Sequence, residues 1–235
     1  MAEQCARLWA MQTPVEMVLV GRDLTKMQRL ATDLSVRSPS TQMTTIEADF
    51  LDSGRIQAVV NQVCAEDGVD IVLIAHGSLP SQSDCQQDLN ACRKALQVNA
   101  LSPVLFAEAF IAAMEKADRG TLAIIGSVAG DRGRKSNYVY GAAKGLVDRY
   151  AQGLQHRLAA TKVKVVLIKP GPTDTPMTAH LKNTGSKLAS VEQVAGDIVR
   201  GIEKDKPVIY TPGIWAMIML VIANLPRFIF NKMDI

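Results

Sequence analysis

Short apolar runs alternate along the chain with longer segments whose apolar residues recur at helical spacing. The runs predict strands at Met17–Val20, Thr44–Ala48, Asp70–Ala75, Thr121–Ile125, Val163–Ile168 and Val208–Tyr210. The longer segments predict helices from Asp23 to about Leu34, from Ser53 onward, over Asp84–Lys116 with a bend near Pro103, around Tyr140, and over Val191–Glu203. This alternation predicts an α/β fold in which helices cover both faces of a doubly wound parallel sheet.

Composition and charge narrow the class of protein without identifying a ligand. The 235 residues are 48% hydrophobic, which is enough for the core of one domain. Basic residues outnumber acidic ones by 26 to 23, so the net charge of +3 gives no reason to expect a nucleic-acid partner. The four cysteines and three histidines are too dispersed to predict a metal site, and a reducing, cytoplasmic compartment suits the cysteines.

Three side chains in the middle of the chain predict a proton-transfer site. Tyr140 and Lys144 are four residues apart, so on a helix they project from one face, one turn apart. A free phenol has a pKa of about 10, and an ammonium group held close to it is expected to lower that pKa. Ser127 follows a predicted strand, from which its hydroxyl could hold a carbonyl oxygen beside the phenol. Tyrosine and lysine at this spacing alone also fit an ordinary helix with a core aromatic and a solvated lysine.

The residues around this group resemble the short-chain dehydrogenase/reductase family. Tyr140 follows Ser127 at the family's spacing of 13 residues, and small residues surround Lys144 in Gly-Ala-Ala-Lys-Gly. Asn99 lies in a preceding helical segment, Leu-Gln-Val-Asn-Ala-Leu-Ser, and Pro-Gly-Pro-Thr-Asp-Thr-Pro follows an apolar strand at 170–176. The resemblance covers nearly the whole chain and implies a Rossmann-like fold.

Catalytic roles follow from this resemblance. Tyr140 would donate a proton to the carbonyl oxygen, and Lys144 would lower the pKa of that phenol and hold the nicotinamide ribose. Ser127 would hydrogen-bond the substrate oxygen. Asn99 would support a water relay at a kink in its helix, or would bond back to its own helical turn. The implied reaction is the reversible reduction of a ketone to a secondary alcohol.

The resemblance also implies a nicotinamide dinucleotide cofactor and favours NADP over NAD. Arg22 follows a predicted strand at the place where a basic residue meets the 2′-phosphate of NADP, although the neighbouring Asp23 gives the opposite signal. Asp49 and Phe50 resemble the pair beside the adenine, or are a loop carboxylate and a core residue. The chain has Ile-Ala-His-Gly where the family has Asn-Asn-Ala-Gly, so His76 is either a structural replacement or an ordinary loop histidine. The implied cofactor-binding residues are Arg22, Asp49, Phe50, Ala75, His76, Gly77, Tyr140, Lys144, Pro170, Gly171, Thr173 and Thr175.

The beginning of the chain departs from the family pattern. Residues 1–11 predict a helix, whereas the family opens with a strand and a glycine-rich turn. That strand would be the central one of the sheet, and burying one apolar side chain contributes about 1.5–3 kcal/mol. We therefore expect a shortened family member, with its Rossmann-like domain over residues 1–212, that folds poorly and binds nucleotide weakly. A binding protein without catalytic activity is the alternative to an enzyme.

An apolar tail over residues 213–235 gives an indication of the substrate. It is shorter than the about 20 apolar residues of a membrane span, so residues 214–232 either lie in the interface of the cytoplasmic membrane or pack on the cleft or a subunit. Together with Ser-Val-Ala-Gly-Asp-Arg-Gly-Arg-Lys-Ser-Asn-Tyr at 127–138, the tail resembles reductases of decaprenylphosphoryl-2-keto-erythro-pentose. That resemblance implies a keto-sugar on a polyprenyl phosphate as substrate. Family members usually pair through their long helices, so we expect a homodimer or homotetramer.

Overall fold

The computed structural model describes residues 1–65, 68–179 and 187–234. The strands in these ranges are β1 (Glu16–Gly21), β2 (Gln42–Glu47), β3 (Ile71–Ile74), β4 (Thr121–Ile125), β5 (Lys164–Pro170) and β6 (Val208–Thr211). The helices are α1 (Ala2–Gln12), α2 (Leu24–Arg37), α3 (Ser53–Val63), α4 (Gln82–Gln87), α5 (Leu89–Leu96), α6 (Ser102–Ala117), α7 (Tyr138–Arg157), α8 (Val191–Glu203), α9 (Ile214–Asn224) and α10 (Arg227–Phe230). The order of these elements confirms the predicted α/β fold.

The strands form two parallel sheets, where the sequence predicted one. β1 pairs with β2, and the second sheet has the order β3-β4-β5-β6. All four strand pairs are parallel. Among the described residues no strand joins β1 to β3, so each of these strands keeps one edge without a partner. The predicted doubly wound parallel arrangement is confirmed, and its pairing is interrupted between β1 and β3, where the sequence predicted that the central strand is missing.

Both faces of the larger sheet are buried. Leu122 and Ile124 of β4 point to one face, where they pack with side chains of α6 and α7 such as Phe110 and Val147. The alternate residues of β4 point to the opposite face, where they pack with α8. Burial on both faces is what a doubly wound sheet requires.

Helix α1 links the cores of the two sheets. Its Cys5 is completely buried in the cluster that includes Val194 of α8 and the strand residue Ile168. Its Ala10 is buried in a second cluster, against Leu34 of α2 and Met17 of β1. Small side chains on this helix allow it to approach both groups, so α1 supports the smaller sheet on the larger one.

The helices begin and end close to the predicted positions, with two corrections. Asp23 caps α2 as predicted, but the cap of α3 is Asp52, whose carboxylate accepts from two backbone N–H groups, and Ser53 is the first helical residue. The predicted long helix is divided at Asp88 and by a π-helical turn over Gln97–Leu101, so its irregularity precedes Pro103. By length and composition alone Leu89–Ala117 could cross a membrane, but half of its most apolar window is buried, as in a core helix.

Candidate active site

A cleft lies at the carboxyl ends of β3, β4 and β5. Residues 75–79 line it after β3, residues 125–129 after β4, and residues 170–173 after β5. Tyr140 and Lys144 reach it from α7. Parallel α/β sheets bind ligands at this edge, because successive loops converge there. The predicted catalytic residues Asn99, Ser127, Tyr140 and Lys144 are thus brought into one lining.

Small residues allow α7 to lie directly against the turn that follows Ser127. A Cβ atom added to Gly141 would lie 2.9 Å from the Ala129 carbonyl oxygen. One added to Gly130 would lie 2.9 Å from the Lys144 carbonyl carbon. Larger residues at either position would push α7 outward, so this close packing holds the Tyr140 turn near Ser127.

Lys144 is a buried cation. Its side chain is 3% exposed, and its ammonium group donates to the Ile125 carbonyl oxygen at 2.8 Å. Burial lowers the pKa of Lys144 to about 8, and the Asp148 carboxylate opposes part of that effect. The Nζ atom lies 5.9 Å from the centre of the Tyr140 ring. A protonated Lys144 therefore places a positive charge next to the phenol.

Tyr140 and Ser127 provide the hydroxyl groups of the site. The Ser127 Oγ accepts from the Ala129 N–H at 3.1 Å, which fixes the turn after β4. Burial raises the pKa of Tyr140, whereas hydrogen bonding with Ser127 acts in the opposite direction. The lowered phenol pKa that the sequence predicted is therefore not observed, since burial has the larger effect. Tyr140 is a neutral phenol at neutral pH.

Asn99 fixes the loop after β3. It is completely buried in the π-helical turn, where its Oδ1 accepts from the Ser78 N–H at 2.8 Å. Its Nδ2 donates to the Ala95 carbonyl oxygen at 2.9 Å, which is the bond back to its own helix. A Cβ on Gly77 would lie 2.9 Å from the Asn99 Oδ1 and 3.8 Å from the Lys144 Nζ. Gly77 is thus the residue that lets this loop approach the catalytic side chains.

The residues expected near the adenine lie outside the cleft lining, whereas those expected near the nicotinamide belong to it. Arg22 and Asp49 are exposed, and neither belongs to the described lining of the cleft. The Asp49 carboxylate accepts from the Leu51 N–H at 2.9 Å. The Phe50 ring packs edge-on against His76, with 4.6 Å between ring centres. Phe50 therefore has a structural partner, as one of its two interpretations predicted.

His76 lines the cleft as a neutral residue. Its Nε2 lies 2.8 Å from the Ser102 Oγ, and its ring also contacts Phe106. Burial, together with the charges of Lys144 and Arg22, lowers the pKa of His76 to about 4. This hydrogen bond anchors the loop after β3 to the start of α6, and it fits both the structural replacement and an ordinary hydrogen-bonded loop histidine.

The loop after β5 completes the other wall. Pro170, Gly171, Thr173 and Thr175 all line the cleft. The Thr173 hydroxyl donates to the Gly171 carbonyl oxygen at 2.9 Å. The indole of Trp215 in α9 occupies the space that a Cβ on Gly171 would need. The apolar tail therefore contacts the back of this loop.

Sequence reasoning missed a buried charged group beneath the cleft. The Lys169 ammonium pairs with the carboxylates of Asp131 and, at 2.8 Å, of Asp148. The Tyr210 hydroxyl donates to Asp131 at 3.1 Å. Burial and the neighbouring Asp131 raise the pKa of Asp148 to about 6, although Lys169 acts against them. Asp148 could have been found from the sequence, because it follows Lys144 by four residues on one helix face.

A family model described as short chain dehydrogenase matches residues 2–185. An uncharacterised oxidoreductase of Mycobacterium tuberculosis is 31% identical over 221 residues, which are 92% of this chain and 87% of that protein. An uncharacterised oxidoreductase of Streptomyces coelicolor is 30% identical over 216 residues, covering 92% of this chain and 84% of that protein.

Solved structures have the same fold at lower identity. A short-chain dehydrogenase from Sphingobium yanoikuyae in complex with NADPH has a TM-score of 0.83 at 20% identity, covering 99% of this chain and 91% of that one. The bulky-bulky ketone specific alcohol dehydrogenase from Comamonas testosteroni has a TM-score of 0.79 at 21% identity, with 99% and 90% covered. A 3-oxoacyl-[acyl-carrier protein] reductase from Brucella melitensis in complex with NAD has a TM-score of 0.78 at 19% identity, with 91% and 92% covered.

Proposed function

Because the chain belongs to the short-chain dehydrogenase family and is an oxidoreductase, we propose that it reduces a ketone to a secondary alcohol with NADPH. The observation that carries this proposal is the convergence of Ser127, Tyr140, Lys144 and Asn99 in one cleft at the carboxyl ends of the strands. The similar structures with bound NADPH or NAD support a nicotinamide cofactor, and Arg22 supports NADP.

The cleft suits a dinucleotide at two places. Gly77 lines the cleft without a side chain, so a ligand can approach the backbone of this loop near Lys144. Met1, just before α1, also lines the cleft, so backbone N–H groups of a helix N-terminus are available for a pyrophosphate. When bound, the nicotinamide would supply the hydride.

The protein residues would orient the ketone and transfer the proton. The Ser127 hydroxyl would donate a hydrogen bond to the carbonyl oxygen. Tyr140 is a neutral phenol and can donate its proton to that oxygen as charge develops there. The Lys144 ammonium would stabilise the phenolate that remains. Asn99 would hold the loop of Gly77 and Ser78 in position.

Substitution of Tyr140 tests the proposal. In Tyr140→Phe we expect ketone-dependent NADPH oxidation to fall by at least about 10²-fold, because the proton donor is removed, while NADPH binding persists. Tyr138→Phe is the matched control, since Tyr138 lies on the same helix with its hydroxyl accepting from Gln86 outside the cleft lining. Wild-type protein that binds NADPH but reduces no ketone would instead support the binding protein without activity.

Cofactor preference is tested at Arg22. In Arg22→Ala we expect the preference for NADPH over NADH to fall by about tenfold, because a charge-assisted contact to the 2′-phosphate is lost. Lys26→Ala is the control, since Lys26 is also an exposed cation and lies in the first turn of α2. An unchanged preference in Arg22→Ala would contradict the assignment of NADP through this residue.

The finer proposal for the substrate is a keto-sugar carried by a polyprenyl phosphate. Apolar residues of α9 such as Met217 and Leu220 are about 60% exposed, and Arg227 and Lys232 follow them. The proposal assigns this face to the inner surface of the cytoplasmic membrane, where a lipid-linked substrate would be found. We expect the wild-type protein to cosediment with anionic vesicles and the double variant Met217→Asp/Leu220→Asp to remain in the supernatant. Equal recovery of the wild type and the double variant in the supernatant would contradict the proposal.

The proposal includes a homodimer or homotetramer formed through the long helices. Leu105 of α6 and Leu146 of α7 are 42% and 43% exposed. A subunit contact would cover such side chains. Sedimentation velocity tests this assembly, and a monomer at micromolar concentration would contradict it.

A further inference from the structure

Two polar side chains between β4 and α7 line the cleft without a role in proton transfer. Arg134 and Asn137 belong to the same lining as Ser127 and Tyr140. The Nε of Arg134 and the Oδ1 of Asn137 are buried, and neither has a hydrogen-bond partner among the described residues. Buried polar groups are normally paired, because losing water without a replacement is unfavourable. Because both side chains also line the cleft, a ligand bound there is a source of the missing partners.

The charged residues near Arg134 pair with other groups, which leaves the Arg134 guanidinium available to a ligand. Asp131 is the acid that acts on Arg134, but its carboxylate is held by Lys169 and by the Tyr210 hydroxyl. The Arg132 guanidinium donates to three carbonyl oxygens at the end of α9. Lys135 pairs with Asp234 at 2.9 Å. Within the described ranges, Arg134 is thus the basic residue of this loop that makes no ion pair and lines the cleft.

The start of α7 adds to the positive potential. Asn137 is the residue before this 20-residue helix, and its side chain makes no capping hydrogen bond. The N-terminus of a helix carries a partial positive charge, which favours an anion next to it. The orphan Oδ1 of Asn137 needs a donor, and a ligand hydroxyl group can supply one.

We propose that Arg134 binds an oxyanion of the substrate and that Asn137 accepts a hydrogen bond from a hydroxyl group of the same molecule. The substrate class is then a hydroxylated ketone that carries a phosphate or carboxylate group. This inference rests on the proposed ketone reduction and adds the residues that select the substrate. Arg134 positions the anionic end, and Ser127 and Tyr140 hold the carbonyl end.

Binding to the full chain in the presence of NADP⁺ tests this inference apart from turnover. The probes for calorimetric titration are D-ribulose 5-phosphate and D-ribulose, which differ only in the anionic group. We expect the phosphate to bind at least about tenfold more tightly. In Arg134→Gln that advantage should disappear while D-ribulose binding changes little, and Arg134→Lys should keep part of it. Lys135→Gln is the control, because it removes an exposed cation at the adjacent position. This variant should still bind D-ribulose 5-phosphate more tightly than D-ribulose by the same factor as the wild type.

The outcomes separate the inference from the proposed function. Equal affinity for the two probes, or an equal loss in Lys135→Gln, would overturn the role of Arg134. If circular dichroism shows that Arg134→Gln does not fold, Arg134→Lys and Asn137→Leu decide the question. The inference would be overturned if Arg134→Lys kept the full preference for D-ribulose 5-phosphate and Asn137→Leu bound D-ribulose as tightly as the wild type does. A third probe, 5-keto-D-gluconate, carries a carboxylate in place of the phosphate. If it binds as tightly as D-ribulose 5-phosphate, the site accepts oxyanions in general, and if it binds more weakly, the site prefers phosphate. Selective binding without any ketone-dependent NADPH oxidation would refute the proposed function and leave the anion site standing.

Discussion

Lys144 is almost completely buried at the base of the cleft, where its charge depends on the groups around it. Burial disfavours the ammonium form, whereas the Asp148 carboxylate one turn later favours it. The resulting pKa of about 8 lies close to neutral pH, so the charge on Lys144 is kept under ordinary conditions and lost slightly above them. Catalysis should therefore respond to pH through this residue.

We expect kcat/KM for ketone reduction to fall as pH rises above about 8. The pKa of Lys144 is lowered, so its ammonium form is lost at a lower pH than that of a free lysine, and stabilisation of the Tyr140 phenolate is lost with it. The measurement is a pH profile of kcat/KM between pH 6 and 10. In Asp148→Asn the descending limb should move to lower pH, because the carboxylate that raises the Lys144 pKa is gone. A profile that is the same in both proteins would contradict this account.

Gly77 shows how one missing side chain shapes the site. In Gly77→Ala the new Cβ would lie 2.9 Å from the Asn99 Oδ1, so the loop or the π-helical turn must move. We expect a loss of at least about tenfold in kcat/KM and about 1–3 kcal/mol in the free energy of unfolding. The matched control is Gly153→Ala, because nothing lies within 4 Å of a Cβ there and alanine favours the helix. Similar effects from both substitutions would show that the close approach at Gly77 is unimportant.

Arg132 attaches helix α9 and the short α10 to the domain. Arg132 donates to the carbonyl oxygens of Ile222, Ala223 and Leu225, and its guanidinium lies 3.8 Å from the centre of the Phe230 ring. The same residue follows the turn that begins at Ser127, so the tail is attached directly to the wall of the active site. This arrangement supports packing of the tail near the cleft, which stays a prediction beside the subunit and membrane alternatives.

We expect Arg132→Gln to release the tail without unfolding the domain. Amide hydrogens of α9 should exchange at least about tenfold faster, because hydrogen bonds to a charged donor contribute about 1.5–3 kcal/mol. Hydrogen exchange followed by mass spectrometry measures this effect. Lys135→Gln removes only an exposed ion pair with Asp234 and should leave the exchange of α9 unchanged. Unaltered exchange in Arg132→Gln would mean that apolar contacts such as that of Met219 hold the tail by themselves.

At the scale of the whole molecule, the two sheets differ in how completely their strands are paired. β4 has neighbours on both sides, whereas β1 and β3 each have one. Alternate backbone N–H groups of β1, including those of Val18 and Val20, point away from β2 in this register. The smaller sheet is therefore held by α1, α2, α3 and its own pairing.

Amide exchange should reveal this difference. We expect the N–H groups of Val18 and Val20 to exchange at least about 10²-fold faster than those of Ala123 and Ile124, which lie in the doubly paired β4. Residue-resolved exchange by NMR or mass spectrometry tests the prediction. Uniform protection across both sheets in the free protein would contradict the expected weakness of β1. The same measurement with NADPH locates the cofactor, because slower exchange in the larger sheet alone would place the cofactor contacts mainly there.

The sequence alone determined the alternation of strands and helices and the residues that meet in the cleft. Both depend on local spacing: period-two and helical burial patterns define the elements, and loops after parallel strands converge at one edge. Only the tertiary structure decided that pairing stops between β1 and β3, that α1 joins the two cores, and that Lys169 is buried with two carboxylates. It also decided that burial outweighs the hydrogen bond with Ser127 in setting the pKa of Tyr140. Strand pairing, desolvation and charge pairing depend on residues that are distant in sequence, so no local pattern contains them.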